Sequence, residues 1–360
     1  MTMKLGLGLY RHLLTRPNFQ FARQAGATHI VAHLVDYFRG GGGGGGAGVD
    51  QPTGDASGWG RAGDPTRLWT TEELVALRRQ VNDEGLTLEA IENLDPAHWS
   101  EVLLDGPRKA EQPQNCKTLI RCLGEAGIPT LGYNFSIAGV CGRVTGPFAR
   151  GGAVSVGMDR PLTDPMPPGM VWNMTVDPEA PPGETPGATS EELWNRVQQF
   201  LAEVVPVAEE AGVVLAAHPD DPPLPTMRGQ PRLIYLPDHF QRLLDLCPST
   251  ANQLEFCVGT IAEMQQGDVY ETVDRYSRQK KIAYVHLRNV TGKAPRYRET
   301  FIDDGDVDMR RVLKILHDNG FDGVLIPDHT PQLNCAAPWH AGMAYALGYM
   351  RATLQSIESE

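Results

Sequence analysis

No stretch of this 360-residue chain approaches the ~20 consecutive apolar residues that a membrane-crossing helix needs, which excludes that class of protein. Cysteine pairs are missing too. Cys116, Cys122, Cys141, Cys247, Cys257 and Cys335 are scattered with no CxxC among them. That is the usage of a reducing cytoplasm, where single thiols serve as core residues or metal ligands. Positive charge is in deficit: 32 Lys and Arg against 44 Asp and Glu leave a net charge of −12. Such a surface repels phosphate backbones, so no nucleic-acid partner is expected. Met1–Gly6 carries one lysine but no long apolar run after it, which argues against a secretory leader and for a cytoplasmic protein.

Hydrophobic residues make up 41% of the chain and charged residues 21%, enough apolar material for a large core and too little charge for a disordered chain. Short apolar runs alternate with longer amphipathic ones. The runs 5–10, 28–35 (THIVAHLV), 86–91 (LTLEAI), 130–135, 212–217 (GVVLAA), 253–257, 282–287 (IAYVHL) and 323–327 (GVLIP) read as eight strands. Helices are predicted over 19–25, 70–84, 115–126, 190–211, 237–246, 268–278, 306–319 and 341–357. Hydroxyl caps followed by early carboxylates open two of them, at Thr70–Glu73 and Ser190–Glu192. Strands alternating with helices imply parallel βαβ units, and eight of these close into a (β/α)8 TIM barrel spanning 1–360 as a single domain. A doubly wound open sheet would show a phosphate loop of the GxGxxG kind after an early strand, and none opens a helix there.

Two connections are long. Residues 36–69 contain seven consecutive glycines, 40–46, which read as a flexible tip, and 136–189 is rich in Gly and Pro. Both follow strands at the C-terminal mouth of the barrel, where active sites of this architecture sit.

The ends of the last four strands are the informative part. His218, Cys257, His286 and Asp328 each close one of them, and a barrel brings those ends to one rim. Two imidazoles, a thiolate and a carboxylate converging there suit a divalent metal, whose charge favours the deprotonated Cys257 and Asp328. Zn(II), Mn(II), Fe(II) or Co(II) would each be accepted. Other polar groups fall at the same rim: Tyr10, Arg11 and His12 after the first strand, Glu92 and Asn93 after the third, Asn134 on the fourth, Arg288 and Asn289 after the seventh. Arginines at such a mouth can hold a substrate carboxylate through a bidentate fork. His329, beside Asp328, could act as a general acid or base, and Glu299 lies in a nearby acidic loop.

These residues also carry a resemblance. AIENL (90–94), NCKTLIRCLGEAGI (115–128), YNF (133–135), AAHPDDPP (216–223), EFCVGT (255–260), HLRNV (286–290), GDVDM (305–309), GFDG (320–323) and PDH (327–329), in this order and spacing, resemble the mannonate dehydratase family of hexuronate catabolism, a barrel related to xylose isomerase. The resemblance implies elimination of water from D-mannonate to give 2-dehydro-3-deoxy-D-gluconate with Mn(II) or a similar ion. It implies His218, Cys257, His286 and Asp328 as metal ligands, His329 as catalytic acid/base, and Arg288, Asn134 and Glu92 in the substrate pocket. Arg11 and Glu299 are further candidates for binding and catalysis. The partner expected is a small sugar acid, with the chain assembled as a homo-oligomer.

Two stretches depart from the family. After YNF an Asp-Trp-Thr-Arg segment is usual. Here SIAGVCGRVTGPFARGG (136–152) keeps Arg143 and Arg150 but has no Asp-Trp pair. Near the C-terminus a Gly-Tyr-Gly segment is usual, with its Tyr implicated in catalysis. Here PWHAGMAYALGY (338–349) puts His340 in its place, which makes His340 a catalytic candidate. Substrate-facing parts have thus changed around a retained ligand set, which leaves open another sugar acid, or isomerisation in place of dehydration.

Overall fold

A computed structural model describes residues 3–40, 58–183 and 185–360; residues 41–46 of the glycine run lie outside them. Eight parallel strands close into a barrel: β1 (Lys4–Leu9), β2 (His29–His33), β3 (Thr87–Glu92), β4 (Thr130–Tyr133), β5 (Val214–Ala217), β6 (Asn252–Cys257), β7 (Ile282–His286) and β8 (Val324–Ile326). Each pairs with its sequence neighbours, and β1 pairs with β8 to shut the ring. All eight coincide with the apolar runs of the sequence to within a few residues.

Helices fill the crossovers: α1 (Arg16–Gln24), α2 (Thr71–Asp83), α3 (Pro113–Ala126), α4 (Ser190–Ala211), α5 (Pro237–Leu246), α6 (Val269–Arg278), α7 (Met309–Asp318) and α8 (Pro338–Glu358). Thr70 and Glu73 form a reciprocal capping box at the start of α2. At α4 the cap is Thr189 with Glu192, one residue before the serine the sequence suggested. Such a cap contributes about 1 kcal/mol. Gly127 and Gly212, both at positive φ, end α3 and α4 as left-handed caps.

The barrel interior is filled by Val31, Ala90, Ala216, Tyr284, Val324 and Ile326. The larger core lies between the strands and the helical ring. Inside the ring small residues are needed where strands crowd: a Cβ on Gly6 would lie 2.5 Å from the Val324 side chain. This packed floor leaves the C-terminal mouth as the place for polar chemistry.

The long connection after β4 is more ordered than its composition suggested. Val144–Ala149 and Ala153–Met158 form a hairpin. That hairpin joins a second one, Asn289–Lys293 with Arg296–Thr300, which follows β7. The result is a four-stranded antiparallel sheet at the barrel mouth. Among the described residues no helix is long and apolar enough to cross a membrane.

Candidate metal centre and active-site cavity

Strand alternation aims the site. Successive side chains on a strand face opposite ways, so Glu255 and Cys257 of β6 point inward together. His286 ends β7, and His218 and Asp328 begin the loops after β5 and β8. The structure brings donor atoms of His218, Cys257 and His286 within 4.8 Å of one another. Asp328 joins them: Oδ1 lies 3.7 Å from His286 Nδ1, and Oδ2 lies 3.7 Å from Cys257 Sγ. Its backbone is left-handed, at φ 63°, a conformation non-glycine residues hold only when their surroundings impose it. Cys257 is fully buried, and its Sγ accepts from the Thr260 amide at 3.4 Å and the Thr260 hydroxyl at 3.1 Å.

Burial alone would raise the Cys257 pKa, but the Arg288 guanidinium and the two imidazoles outweigh it and bring the thiol down to about 6. His218 moves the other way, up to about 9, because Cys257 and Glu255 outweigh its burial. Neither nitrogen of His286 makes a well-aligned hydrogen bond, although acidic groups and the Cys257 thiol surround the ring. A thiol disposed to ionise, two imidazoles and a carboxylate, buried at donor spacing, fit a divalent transition metal by the chemistry of the set.

Arg288 is the electrostatic hub. Its buried guanidinium reaches Asp221 Oδ2 at 3.0 Å, Glu263 Oε1 at 3.2 Å, Glu299 Oε1 at 2.5 Å and Asp328 Oδ2 at 3.3 Å. Gly259 makes room for it, since a Cβ there would lie 2.5 Å from Arg288 Nε. Arg288 is therefore engaged on every side by the protein's own carboxylates. His329 stands between Glu299 and Asp328, with Nδ1 3.3 Å from Glu299 Oε1 and Nε2 3.1 Å from Asp328 Oδ1. Burial lowers the His329 pKa, but these two carboxylates outweigh it and hold it above the usual value. Glu299 is held below its usual range, its burial outweighed by Arg288 and His329.

One cavity opens above this cluster, lined by Glu92, Asn134, Arg143, His218, His286, Asp328 and His329, with Tyr37, Trp59 and Trp172 as aromatic walls. Asn134 is committed to the walls: it donates to Pro219 O at 3.0 Å and accepts from Trp172 Nε1 at 3.2 Å. Trp59 and Trp172 pack edge to face across the cavity, whereas Trp99 is a core residue between Phe135 and Phe200.

Two candidates from the sequence fall elsewhere. α8 starts at Pro338, and its first turns direct Trp339 and Met343, four residues apart, into the cavity. His340 is then rotated about 100° away; its Nε2 meets Asn18 Oδ1 at 3.0 Å, and it is not among the lining residues. Arg11 lies in a separate cleft, over the Trp69 ring at 5.2 Å.

Sequence reasoning passed over His33 and Glu255. His33 ends β2 and lines the cavity, stacked on Tyr10 at 4.5 Å with Nδ1 3.3 Å from the Tyr37 hydroxyl; burial lowers its pKa. Glu255, two residues before Cys257 on the same strand face, is fully buried, and burial followed by the Glu92 charge pushes it up to about 8. The alternation within LEFC carried that signal. Glu92 is held low, the His33 and His286 imidazoles outweighing its burial.

The sequence model of the D-mannonate dehydratase (UxuA) family matches residues 22–144 and 187–359. The chain belongs to this family. Among D-mannonate dehydratase relatives, that of Streptococcus pneumoniae (strain 70585) is 33% identical over 278 residues, covering 73% of this chain and 75% of the relative. Mannonate dehydratase 2 of Halalkalibacterium halodurans is 31% identical over 277 residues, covering 73% and 79%. The crystal structure of mannonate dehydratase from Streptococcus suis serotype 2 superposes with a TM-score of 0.77 at 26% identity, covering 99% of this chain and 94% of that one. An L-ribulose 3-epimerase structure, at 14% identity and a TM-score of 0.57 over 99% and 96%, shares the barrel fold. The stretch the D-mannonate dehydratase family model leaves unmatched, 145–186, contains nearly all of the first mouth hairpin and Trp172.

Proposed function

We propose that the chain is a divalent-metal-dependent hydro-lyase that removes water from D-mannonate, or a close aldonate, to give 2-dehydro-3-deoxy-D-gluconate. The reading rests on one observation: in a chain of this family, His218, Cys257 and His286 meet at donor spacing, with Asp328 3.7 Å from both Cys257 and His286, beneath a cavity that presents His329. Those four would hold the ion, Mn(II) by preference, with Fe(II), Co(II) or Zn(II) as alternatives. Bound there, the ion supplies Lewis acidity toward the carboxylate end of the substrate.

The protein's own groups do the rest. The C2 proton of a sugar acid is weakly acidic, so a base must take it, and the departing C3 hydroxyl must receive a proton. His329, oriented by Glu299 at Nδ1, holds a proton at Nε2 beside Asp328 Oδ1, from where it would pass to that hydroxyl. His33, across the same cavity lining, is the group placed to accept from C2. Arg143 offers the cavity's positive charge for a carboxylate, while Arg288 fixes Asp328 and Glu299. Tyr37, Trp59 and Trp172 exclude water. The setting is hexuronate (glucuronate) catabolism in the cytoplasm, by a homo-oligomer.

Purified protein with Mn(II) is incubated with a panel of aldonates and assayed for a 2-keto-3-deoxy acid. Formation from D-mannonate is expected, and no such product from any aldonate defeats the reading. A second reading, isomerisation or epimerisation on the same barrel, is favoured by the absence of His340 from the cavity and by the unmatched 145–186 stretch. It would yield products of unchanged mass composition carrying solvent deuterium.

A further inference from the structure

Beneath the His218–Cys257–Asp328 group lies a second cluster of donors. Glu92, Glu255 and His286 present donor atoms that all lie within 4.8 Å of one another, and all three residues are buried. His286 Nε2 is 3.3 Å from Glu255 Oε1 and 3.4 Å from Glu92 Oε2. No well-aligned hydrogen bond reaches Glu255, Glu92 Oε2 or His286 Nε2; the Tyr284 hydroxyl and the His286 ring face the two carboxyl groups, and Glu255 is 0% exposed. Separations of 3.3–3.4 Å are long for a charge-assisted hydrogen bond, which runs about 2.7–2.9 Å. They are the spacing of two ligands of one small cation at about 2.1 Å from each, seen at an angle near 105°.

Room has been made for these carboxylates. Gly132 of β4 faces them, and a Cβ there would lie 2.4 Å from both Glu255 Oε2 and the Tyr284 hydroxyl. Carboxyl groups are also crowded here. Six carboxyl groups surround the mouth: Glu92, Asp221, Glu255, Glu263, Glu299 and Asp328. Arg288 reaches the other four, while Glu92 and Glu255 have imidazoles within ion-pair reach, namely His33 and His286 for Glu92 and His286 for Glu255. Buried carboxylates persist when paired or when they coordinate a metal.

We infer that Glu92, Glu255 and His286 Nε2 form a second, deeper site for a small divalent cation, separate from the group around Cys257 and joined to it through the His286 ring. His286 can serve both as an imidazolate, its ring proton released to solvent when the second cation binds, because Nδ1 faces Asp328 while Nε2 faces the glutamates. The donor sets differ in softness. Two carboxylates and one imidazole suit Mn(II) or Mg(II), whereas the thiolate of the upper group suits Zn(II) or Fe(II). The inference goes beyond the proposed reaction and concerns cation binding alone.

The test counts ions without substrate. Metal-free full-length protein is dialysed to equilibrium against Mn(II), and separately against Zn(II), and bound metal per chain is measured by mass spectrometry. Two equivalents of Mn(II) are expected for the unaltered protein. Glu255→Gln and Glu92→Gln should each drop the count to one, and Cys257→Ser should also leave one, in the deeper site. Circular dichroism checks that each variant folds. A count of one for the unaltered protein overturns the inference, since the glutamates then share a proton or simply orient His286. A count of two in folded Glu255→Gln does the same. Unchanged counts in Cys257→Ser, with one equivalent lost in Glu255→Gln, would leave this site standing and show that the upper site holds its ion without the thiolate.

Discussion

One oxygen of Glu299 faces three cationic groups: Oε1 accepts from Arg288 Nη1 at 2.5 Å and lies 3.3 Å from His329 Nδ1 and 3.8 Å from Arg143 Nη1. Glu299 and Asp328 together keep the His329 pKa raised. An acid catalyst must be protonated, so activity is lost as pH rises through its pKa. Removing the Glu299 charge lowers that pKa. Glu299→Gln should therefore shift the alkaline limb of kcat/KM to lower pH, and His329→Asn should reduce kcat by about 10²–10⁴-fold with bound metal retained. An unmoved alkaline limb in a folded Glu299→Gln enzyme contradicts this role.

The upper donor group predicts a metal-dependent stability. A ligand that binds only the folded chain stabilises it by RT ln(1 + [L]/Kd), about 2.7 kcal/mol at one hundred times Kd. Adding Mn(II) or Zn(II) to chelator-treated protein should raise the melting temperature. With Zn(II), Cys257→Ala or His218→Ala should remove most of that rise, whereas with Mn(II) the deeper site should preserve part of it; the far-ultraviolet spectrum stays unchanged, because the barrel interior and the helical core lie apart from both residues. A full rise in both variants would falsify the assignment.

Arg288 carries the largest structural burden at the mouth. Replacing it by Met leaves Asp221, Glu263 and Glu299 buried without their shared cation. Breaking a buried ion pair from one side costs about 3–5 kcal/mol. Urea unfolding of Arg288→Met should show a free energy of unfolding lowered by that amount at neutral pH, and a change within error would mean the carboxyls were already neutral.

Trp172 donates its indole N–H to Asn134 Oδ1 at 3.2 Å and packs against Tyr37 and Trp59. Trp172→Phe keeps an aromatic wall but orphans the buried carbonyl of Asn134, a loss of about 1–3 kcal/mol. Denaturant midpoints check the stability, and KM for the aldonate should rise if that wall shapes the cavity.

The barrel was legible because each strand is a short apolar run between Gly or polar stops, a local signal needing no knowledge of partners. The capping residues Thr70 and Glu73 were legible for the same reason. The mouth sheet was not: Ala153–Met158 pairs with Arg296–Thr300 across about 140 positions, and glycines in 144–157 dilute the strand pattern. Within the site, strand ends located His218, Cys257, His286 and Asp328. Glu255 was hidden because a carboxylate inside an apolar run reads as an outward residue until its register with Cys257 is considered. His340 was misplaced because aligned position says nothing of helical phase, and the phase set by Pro338 turns Trp339 and Met343 inward.

The mouth sheet joins two pieces of chain that the family model treats differently. One hairpin, at 289–300, lies in a stretch that the model matches and carries Glu299; the other, at 144–158, lies almost wholly in the stretch that it leaves unmatched. The roof over the reaction chamber can thus be exchanged as a unit while the floor beneath it is left alone. Changes confined to that one flap would reshape the wall of the cavity while His218, Cys257, His286 and Asp328 keep their places below.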